Sequence, residues 1–271
     1  MISRDIVGML SYQHIYHAGN AADLHKHALL AWMLDYLTAK DKPLSYIETH
    51  AGRGLYDLAA PQARMTAESD AGISRALAAG WLDDSHPLMR ALGWVRSRYG
   101  ADAYPGSPLI AQHFLRARDS MQLAELHPAE YEVLADVTWD AKLHHRDGFE
   151  MARAITPPTP RRGLMLIDPS YEVKDDYATI PDLLQDIAKK WNVGILALWY
   201  PILTDGRQST MAVKLRLAFP DALSSEVRFP PAKAGHGMVG SGMFVINPPW
   251  GLAEEAARIG SLFAEHGQVP G

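Results

Sequence analysis

The sequence predicts an α/β protein, a mainly parallel sheet of seven strands covered by helices on both faces, built as one domain over residues 1–271. Three observations carry this. Short apolar runs bounded by turn residues fall at 44–49, 121–126, 142–146, 164–168, 194–200, 227–229 and 243–247. Segments of helical periodicity lie between them. Roughly 70 residues separate the first two runs where a simple βαβ unit takes about 30, so something is inserted there.

In chain order, Asn20 followed by Asp23 resembles a capping-box variant and opens a helix whose His27, Leu30, Leu34 and Leu37 lie on one side. His17, Lys26 and His27 gather at that helix start, whose free N–H groups attract carboxylates or phosphates. The first strand ends in Glu48-Thr49-His50-Ala51-Gly52-Arg53-Gly54, a Gly-x-Gly turn where an open α/β sheet binds its ligand. In the long gap, Leu88, Leu92 and Val95 recur at helical spacing after Ser85 and Pro87, and a second pattern runs from Ile73 to Leu77. A helical subdomain is therefore expected over 58–102. Ile180, Leu183, Leu184, Ile187 and Trp191 share one face of a later helix, with Thr179 as N-cap and Pro181 in the first turn. A last helix is expected over 252–263.

Composition narrows the function. The chain is 48% hydrophobic and 21% charged, as globular proteins are. No stretch approaches the roughly 18 apolar residues of a membrane span, and Met1 to Gly8 lack a secretory pattern, so a cytoplasmic protein without a membrane partner is expected. The absence of cysteine removes disulfides, thiolate zinc sites and cysteine nucleophiles. A net charge of -5 argues against indiscriminate phosphate binding. Arg161-Arg162, Lys189-Lys190 and Lys214 with Arg216 can still form a basic face. No histidine spacing matches a helical metal motif, and adjacent His144 and His145 point to opposite sides of a strand, so no metal is expected.

Three successive strand ends suit an adenosine-containing ligand. Glycines of the first turn admit close backbone approach, and Glu125 can accept from ribose hydroxyls. Asp147-Gly148-Phe149 offers an acceptor for an exocyclic amino group beside a ring that can pack on a purine. The fourth strand ends in Asp168-Pro169-Ser170-Tyr171, the sharpest feature of the chain. An adenine amino group is a poor nucleophile because its lone pair is delocalised into the ring. A methylating enzyme must hold that nitrogen towards tetrahedral geometry. Asp168 can accept one N–H, the Pro169 carbonyl the other, and Tyr171 can stack on the displaced base. Orientation, and a carboxylate facing developing positive charge, would then catalyse an in-line displacement.

Asn247-Pro248-Pro249-Trp250 fits the same letter pattern better. It follows the last strand, however, which in methyltransferase-type sheets runs antiparallel and ends away from the cofactor. It reads as a rigid turn.

These residues resemble the RlmJ family of 23S ribosomal RNA adenine-N6 methyltransferases over nearly the whole chain from Met9 onward. The resemblance rests on Met9-Leu10-Ser11-Tyr12, His17-Ala18-Gly19-Asn20 with Asp23 and Lys26-His27, Thr49-His50-Ala51-Gly52 and Tyr104-Pro105-Gly106-Ser107-Pro108. Glu125-Leu126-His127-Pro128, Asp147-Gly148-Phe149, Leu198-Trp199-Tyr200-Pro201 and Asn247-Pro248-Pro249-Trp250 extend it. It implies a Rossmann-like class I methyltransferase sheet with the last strand antiparallel, a helical insertion, and an N-terminal cofactor and substrate motif over 9–28. It also implies S-adenosyl-L-methionine contacts at His27, His50, Ser107, Glu125, Asp147, Gly148 and Asp168 with Lys26 close by, and Tyr12 against the substrate adenosine. The implied partner is 23S ribosomal RNA, protein-free or partly assembled, met by a monomer that needs no metal. Ser170 departs from the family's usual second proline, a change expected to loosen the preceding residue rather than remove the Pro169 carbonyl. Two alternatives stay open: a DNA adenine or small-amine methyltransferase of the same fold, and a non-catalytic cofactor-binding RNA chaperone.

Overall fold

The computed structural model describes residues 14–173, 175–232, 235 and 237–266. A 3-10 turn at His14–Tyr16 leads into α1 (Ala21–Thr38), then β1 (Ser45–Glu48), β2 (Leu55–Asp57), α2 (Pro61–Thr66), α3 (Glu68–Ala71), α4 (Ile73–Ala78) and α5 (Pro87–Tyr99). β3 (Ala103–Pro105), α6 (Ser107–Phe114), β4 (Ser120–Ala124), α7 (Pro128–Val137), β5 (Ala141–His144) and α8 (Gly148–Ile155) follow. The chain continues through β6 (Gly163–Ile167), α9 (Asp176–Lys190), β7 (Ile195–Leu203), α10 (Ser209–Ala218), β8 (Leu223–Arg228), β9 (Met238–Ile246) and α11 (Leu252–His266).

The seven expected strands form one sheet in the order β5-β4-β1-β6-β7-β9-β8. β9 runs antiparallel to both β7 and β8, and the remaining pairs are parallel. Side chains alternate across it as the strand period requires. Tyr46, Leu164, Leu166, Ala197, Met243 and Val245 enter the core beneath α1, α5, α6 and α11. Ile47, Met165, Ile167, Leu196, Leu198 and Phe244 enter the other, beneath α8, α9 and α10.

α1 is enclosed on nearly every side rather than along the single stripe read from its sequence. It lies between α5, α6, α11 and β9, and even Asp23, His25, Lys26 and His27 are buried. Burial makes the His25 imidazole neutral, its pKa lowered to about 3, and both ring nitrogens are satisfied by Ser241 Oγ at 2.9 Å and Ser225 Oγ at 3.0 Å.

Two elements depart from expectation. β2 and β3 pair antiparallel as a short separate ribbon, and the helices α2 to α5 lie between them. Those helices do not form a detached body: Ile73, Ala76, Leu88, Ala91 and Leu92 belong to the same core as the sheet. α9 starts at Asp176, so Thr179 is not its N-cap and Pro181 is inside the helix. The apolar face the sequence shows begins at Ile180 only because the first turn faces outward, with Ala178 and Thr179 exposed.

Candidate active site

The carboxyl ends of β1, β4, β5, β6 and β7 open into one cavity of about 550 Å³. An open α/β sheet takes its ligand at this edge, because loops there diverge to either face. Lys26, His27, His50, Ser107, Glu125, Asp147, Asp168, Pro169 and Tyr171 all line it. Gly148 stands just behind as the first residue of α8, where a Cβ would meet the Thr49 carbonyl oxygen at 1.8 Å. Only glycine lets α8 start so close to the end of β1. Tyr12 lies outside the described residues.

Asp168 follows β6, and its Oδ2 accepts from Lys26 Nζ at 2.5 Å. The Lys26 ammonium also lies 3.1 Å from Asp23 Oδ1 and 5.5 Å from the Trp199 ring centre. Burial opposes a charge on Lys26, but Asp168 and Asp23 outweigh it and hold the pKa above the ordinary lysine value. Asp23 is likewise ionised. Burial pushes its pKa up, but His14, Lys26 and His27 more than reverse this and leave it well below the ordinary value. Asp23 Oδ2 also accepts from the Gly19 N–H at 2.9 Å and contacts His14 Nε2 at 2.8 Å. The buried core of the site is thus two carboxylates around one ammonium.

The glycine turn after β1 is fixed from below. Gly52 and Gly54 have φ of +60° and +75°, the left-handed region that glycine enters without strain. Gly52 N–H donates to Glu125 Oε2 at 2.8 Å, and His127 N–H donates to Glu125 Oε1 at 2.7 Å. Glu125 therefore braces the turn while each oxygen keeps another lone pair for a ligand hydroxyl. Asp147 caps α8, accepting from Glu150 N–H at 2.8 Å. Phe149 meets His50 edge to face at 5.0 Å. Burial lowers the His50 pKa to about 4 although Asp168 and Asp147 pull the other way, so the imidazole is neutral at pH 7.

His27 is neutral too, its pKa lowered to about 3 mainly by burial. Its Nδ1 bonds to the Tyr104 hydroxyl at 2.9 Å, while its Nε2 is buried and has no hydrogen-bond partner. Such an orphan costs stability unless something completes it. An orphaned nitrogen, a glycine turn without side chains and the Glu125 and Asp147 carboxylates together fit a nucleoside-bearing amino acid such as S-adenosylmethionine.

Tyr171 is more constrained than the sequence suggested. Its φ is +57°, its hydroxyl donates to the Trp199 carbonyl at 2.7 Å, and its ring stacks on Tyr177 with centres 4.7 Å apart.

Several cavity residues were not singled out for the site from sequence. Asp23 read as part of a capping box, and the structure makes Asn20 the cap: its Oδ1 accepts from Asp23 N–H, while the Asp23 carboxylate accepts from Gly19 N–H. Trp199 read as part of a strand and of the family-like Leu198-Trp199-Tyr200-Pro201 segment, with no role at the site. Glu48 lies buried beneath the cavity, where Ser107 Oγ and the Tyr46 hydroxyl donate to its carboxyl and burial raises its pKa to about 8. A charged residue ending an apolar run was the signal available for it. The rival Asn247-Pro248-Pro249-Trp250 turn sits at the opposite end of the sheet, because Ile246 pairs with Leu196 at the start of β7. The basic groups are remote as well: Arg161 and Arg162 precede β6, and Lys189 and Lys190 end α9. His17 reaches Glu68 of α3 at 3.0 Å, tying the insertion to the cavity rim. Among the described residues no three side chains are grouped as metal ligands, and no helix is long and apolar enough to cross a membrane.

A family model described as ribosomal RNA large subunit methyltransferase D, RlmJ, matches residues 41–268. Ribosomal RNA large subunit methyltransferase J of Escherichia coli (strain K12) is 40% identical over 260 residues, which cover 93% of this chain and 91% of that protein. Its Haemophilus influenzae counterpart is 38% identical, covering 93% and 92%. A crystal structure of a Legionella pneumophila str. Philadelphia 1 protein matches with a TM-score of 0.84 at 34% identity, over 93% of this chain and 94% of that one. With a family model matched over residues 41–268 and relatives 40% and 38% identical over 93% of its length, the chain belongs to the RlmJ family of large-subunit ribosomal RNA methyltransferases.

Proposed function

We propose that the chain transfers a methyl group from S-adenosylmethionine to the N6 amino group of an adenine in 23S ribosomal RNA. It acts on protein-free or partly assembled RNA, as a monomer in the cytoplasm. The observation that carries this reading is Asp168. It follows β6 and opens into the same cavity as the Gly52 turn, Glu125 and Asp147.

Glu125 and Asp147 would hold the ribose and adenine of the cofactor, and His27 Nε2, His50 and Ser107 its remaining polar groups. When bound, S-adenosylmethionine supplies an electrophilic methyl group on a sulfonium. The chain's own residues do the rest. Lys26 fixes the Asp168 carboxylate through Oδ2, so Oδ1 is the oxygen presented to a base N–H. The Pro169 carbonyl accepts the second N–H, which directs the nitrogen lone pair out of the base plane. Tyr171, pinned by Trp199 and Tyr177, is a ready-made wall for the base.

As the nitrogen becomes positive it faces Asp23, Asp168 and Lys26, whose charges sum to one negative unit. That stabilises the transition state more than the ground state. Asp168 can then take the released proton.

Protein-free ribosomal RNA incubated with methyl-labelled cofactor should carry label on a single adenine N6, mapped by mass spectrometry. Cofactor binding without any label in RNA would overturn the proposal.

A further inference from the structure

The cavity leaves one problem unsolved. Its lining includes Asp23, Glu125, Glu130, Asp147, Asp168 and Asp176, a set that suits a sulfonium but repels phosphates. In a chain of net charge -5, attraction for RNA must come from elsewhere.

The amino ends of the parallel strands, opposite the cavity, gather the missing charge. Lys189 and Lys190 are exposed in the last turn of α9, and Lys40 and Lys42 are exposed between α1 and β1. None of these four lysines pairs with a carboxylate among the described residues. The neighbouring arginines have structural work. Arg116 donates to the carbonyls of Thr38, Lys40 and Lys42 at 2.9 Å each, and Arg162 to those of Leu37 and Lys42. Both close the carboxyl end of α1. No such duty explains the lysines.

Beside them stands the Asn247-Pro248-Pro249-Trp250 turn, which the methyl-transfer site does not use. Asn247, at φ +55°, donates to the carbonyls of Asn192 at 3.1 Å and Gly194 at 2.8 Å, which fixes the turn to the loop just after Lys190. Two prolines stiffen it further. This rigid mount holds Trp250 with 84% of its surface in solvent, more than any other large apolar side chain among the described residues. A tryptophan displayed so openly contributes nothing to the core, and a turn tied to the loop just after Lys189 and Lys190 offers the pairing of ring and cation that binds single-stranded nucleic acid.

We propose that this pole is a second RNA-docking surface. In it, Trp250 stacks on an unpaired base, and Lys189 and Lys190 contact phosphates of the same ribosomal RNA whose adenine enters the cavity. The inference rests on the function proposed above. β6 spans about 17 Å from this pole to Asp168, and RNA joining the two sites must pass round the outside of the protein, a path that a long fragment covers more readily than a short stem-loop. The surface therefore selects long, folded RNA over a minimal hairpin.

Trp250→Ala and the double variant Lys189→Glu with Lys190→Glu test this, and neither touches the catalytic machinery. One arm measures filter binding of a long 23S fragment and of a short hairpin across a salt series. The other measures methyl transfer to both.

Trp250→Ala should weaken binding of the long fragment and raise its KM by about fivefold or more, with kcat and hairpin binding unchanged. The double variant should flatten the salt slope for the long fragment by about two. Long-fragment affinity within twofold of wild type in Trp250→Ala, together with an unchanged salt slope in the double variant, would refute the docking surface. So would a dimer broken by Trp250→Ala in sedimentation with RNA affinity intact, which would assign the face to a second copy. Failure of the wild-type protein to methylate any RNA would instead sink the functional reading, an outcome read in the other arm.

Discussion

Asp23→Asn isolates the charge balance on which the proposed chemistry depends. The substitution keeps the size of the side chain and an oxygen for the Gly19 N–H, removes the negative charge and puts an amide NH2 where an acceptor faced Lys26. Lys26 then neutralises Asp168 alone, and a nitrogen acquiring positive charge faces a site of zero net charge instead of minus one. The legs from Lys26 Nζ, 2.5 Å to Asp168 and 3.1 Å to Asp23, put the two carboxylates within about 6 Å of each other. A nitrogen hydrogen-bonded to Asp168 then lies about 8 Å from Asp23. At an effective dielectric of about 20 the lost attraction is about 2 kcal/mol, on the order of a 30-fold slower transfer. All three side chains are at most 14% exposed, so salt screens little of it. Single-turnover transfer at saturating RNA and cofactor reads the effect, with cofactor affinity by calorimetry and thermal unfolding as controls. A transfer rate within twofold of wild type, in a folded protein that binds cofactor, would show that Asp23 serves only the first turn of α1.

Other consequences follow from the same geometry. The Glu48 carboxyl, raised to about 8 by burial, binds a proton in the folded protein that the unfolded chain releases near its ordinary value of 4.5. Its contribution to stability is full below pH 4.5 and is lost as pH rises through 8. Glu48→Gln should remove a loss of at most about 5 kcal/mol from the urea stability profile between pH 5 and 9, and parallel profiles would contradict this. Gly148→Ala forces a Cβ against the Thr49 carbonyl and should cost about 2 kcal/mol or more of stability together with cofactor affinity. A variant with unchanged unfolding and binding would mean that α8 shifts freely. Ser170→Pro should raise kcat if a looser Pro169 limits the rate, whereas an unchanged kcat would show that Tyr171's anchors already hold the loop.

How much of this was legible in the sequence depended on whether the signal was local. A short apolar run with a turn residue at each end sufficed to place the seven sheet strands within a few residues, since strands covered on both faces are apolar throughout. β2 and β3 escaped because three residues each show no period. At the site, Asp168, Glu125 and Asp147 were visible because each ends its own strand, and strand ends share one edge of a parallel sheet. The partnership between Lys26 and Asp168 joins residues 142 apart in sequence, and no spacing rule connects them. Asp23 shows how a local reading can be correct and incomplete. It sits in the first turn of α1, hydrogen-bonded to the cap Asn20, and its contact with Lys26 is an i,i+3 pair within the helix; that this pair closes on Asp168 is what only the fold reveals.

The two tetrapeptides make the point sharpest. Asp168-Pro169-Ser170-Tyr171 and Asn247-Pro248-Pro249-Trp250 each follow an apolar strand, and by letters alone the second is the better match. Strand direction separates them. β6 runs parallel to β1 and delivers its tetrapeptide to the cavity. β9 runs antiparallel to β7 and delivers the other to the far pole. Residue contacts finish the distinction. Asp168 meets a buried ammonium, and Tyr171 is fixed by Trp199 and Tyr177. Asn247 instead ties down a turn that leaves Trp250 in solvent. An acceptor beside a base-binding ring can serve chemistry only where a carboxylate and a cofactor edge converge. At the far pole, exposed and away from both, the same rigid turn can only display its ring.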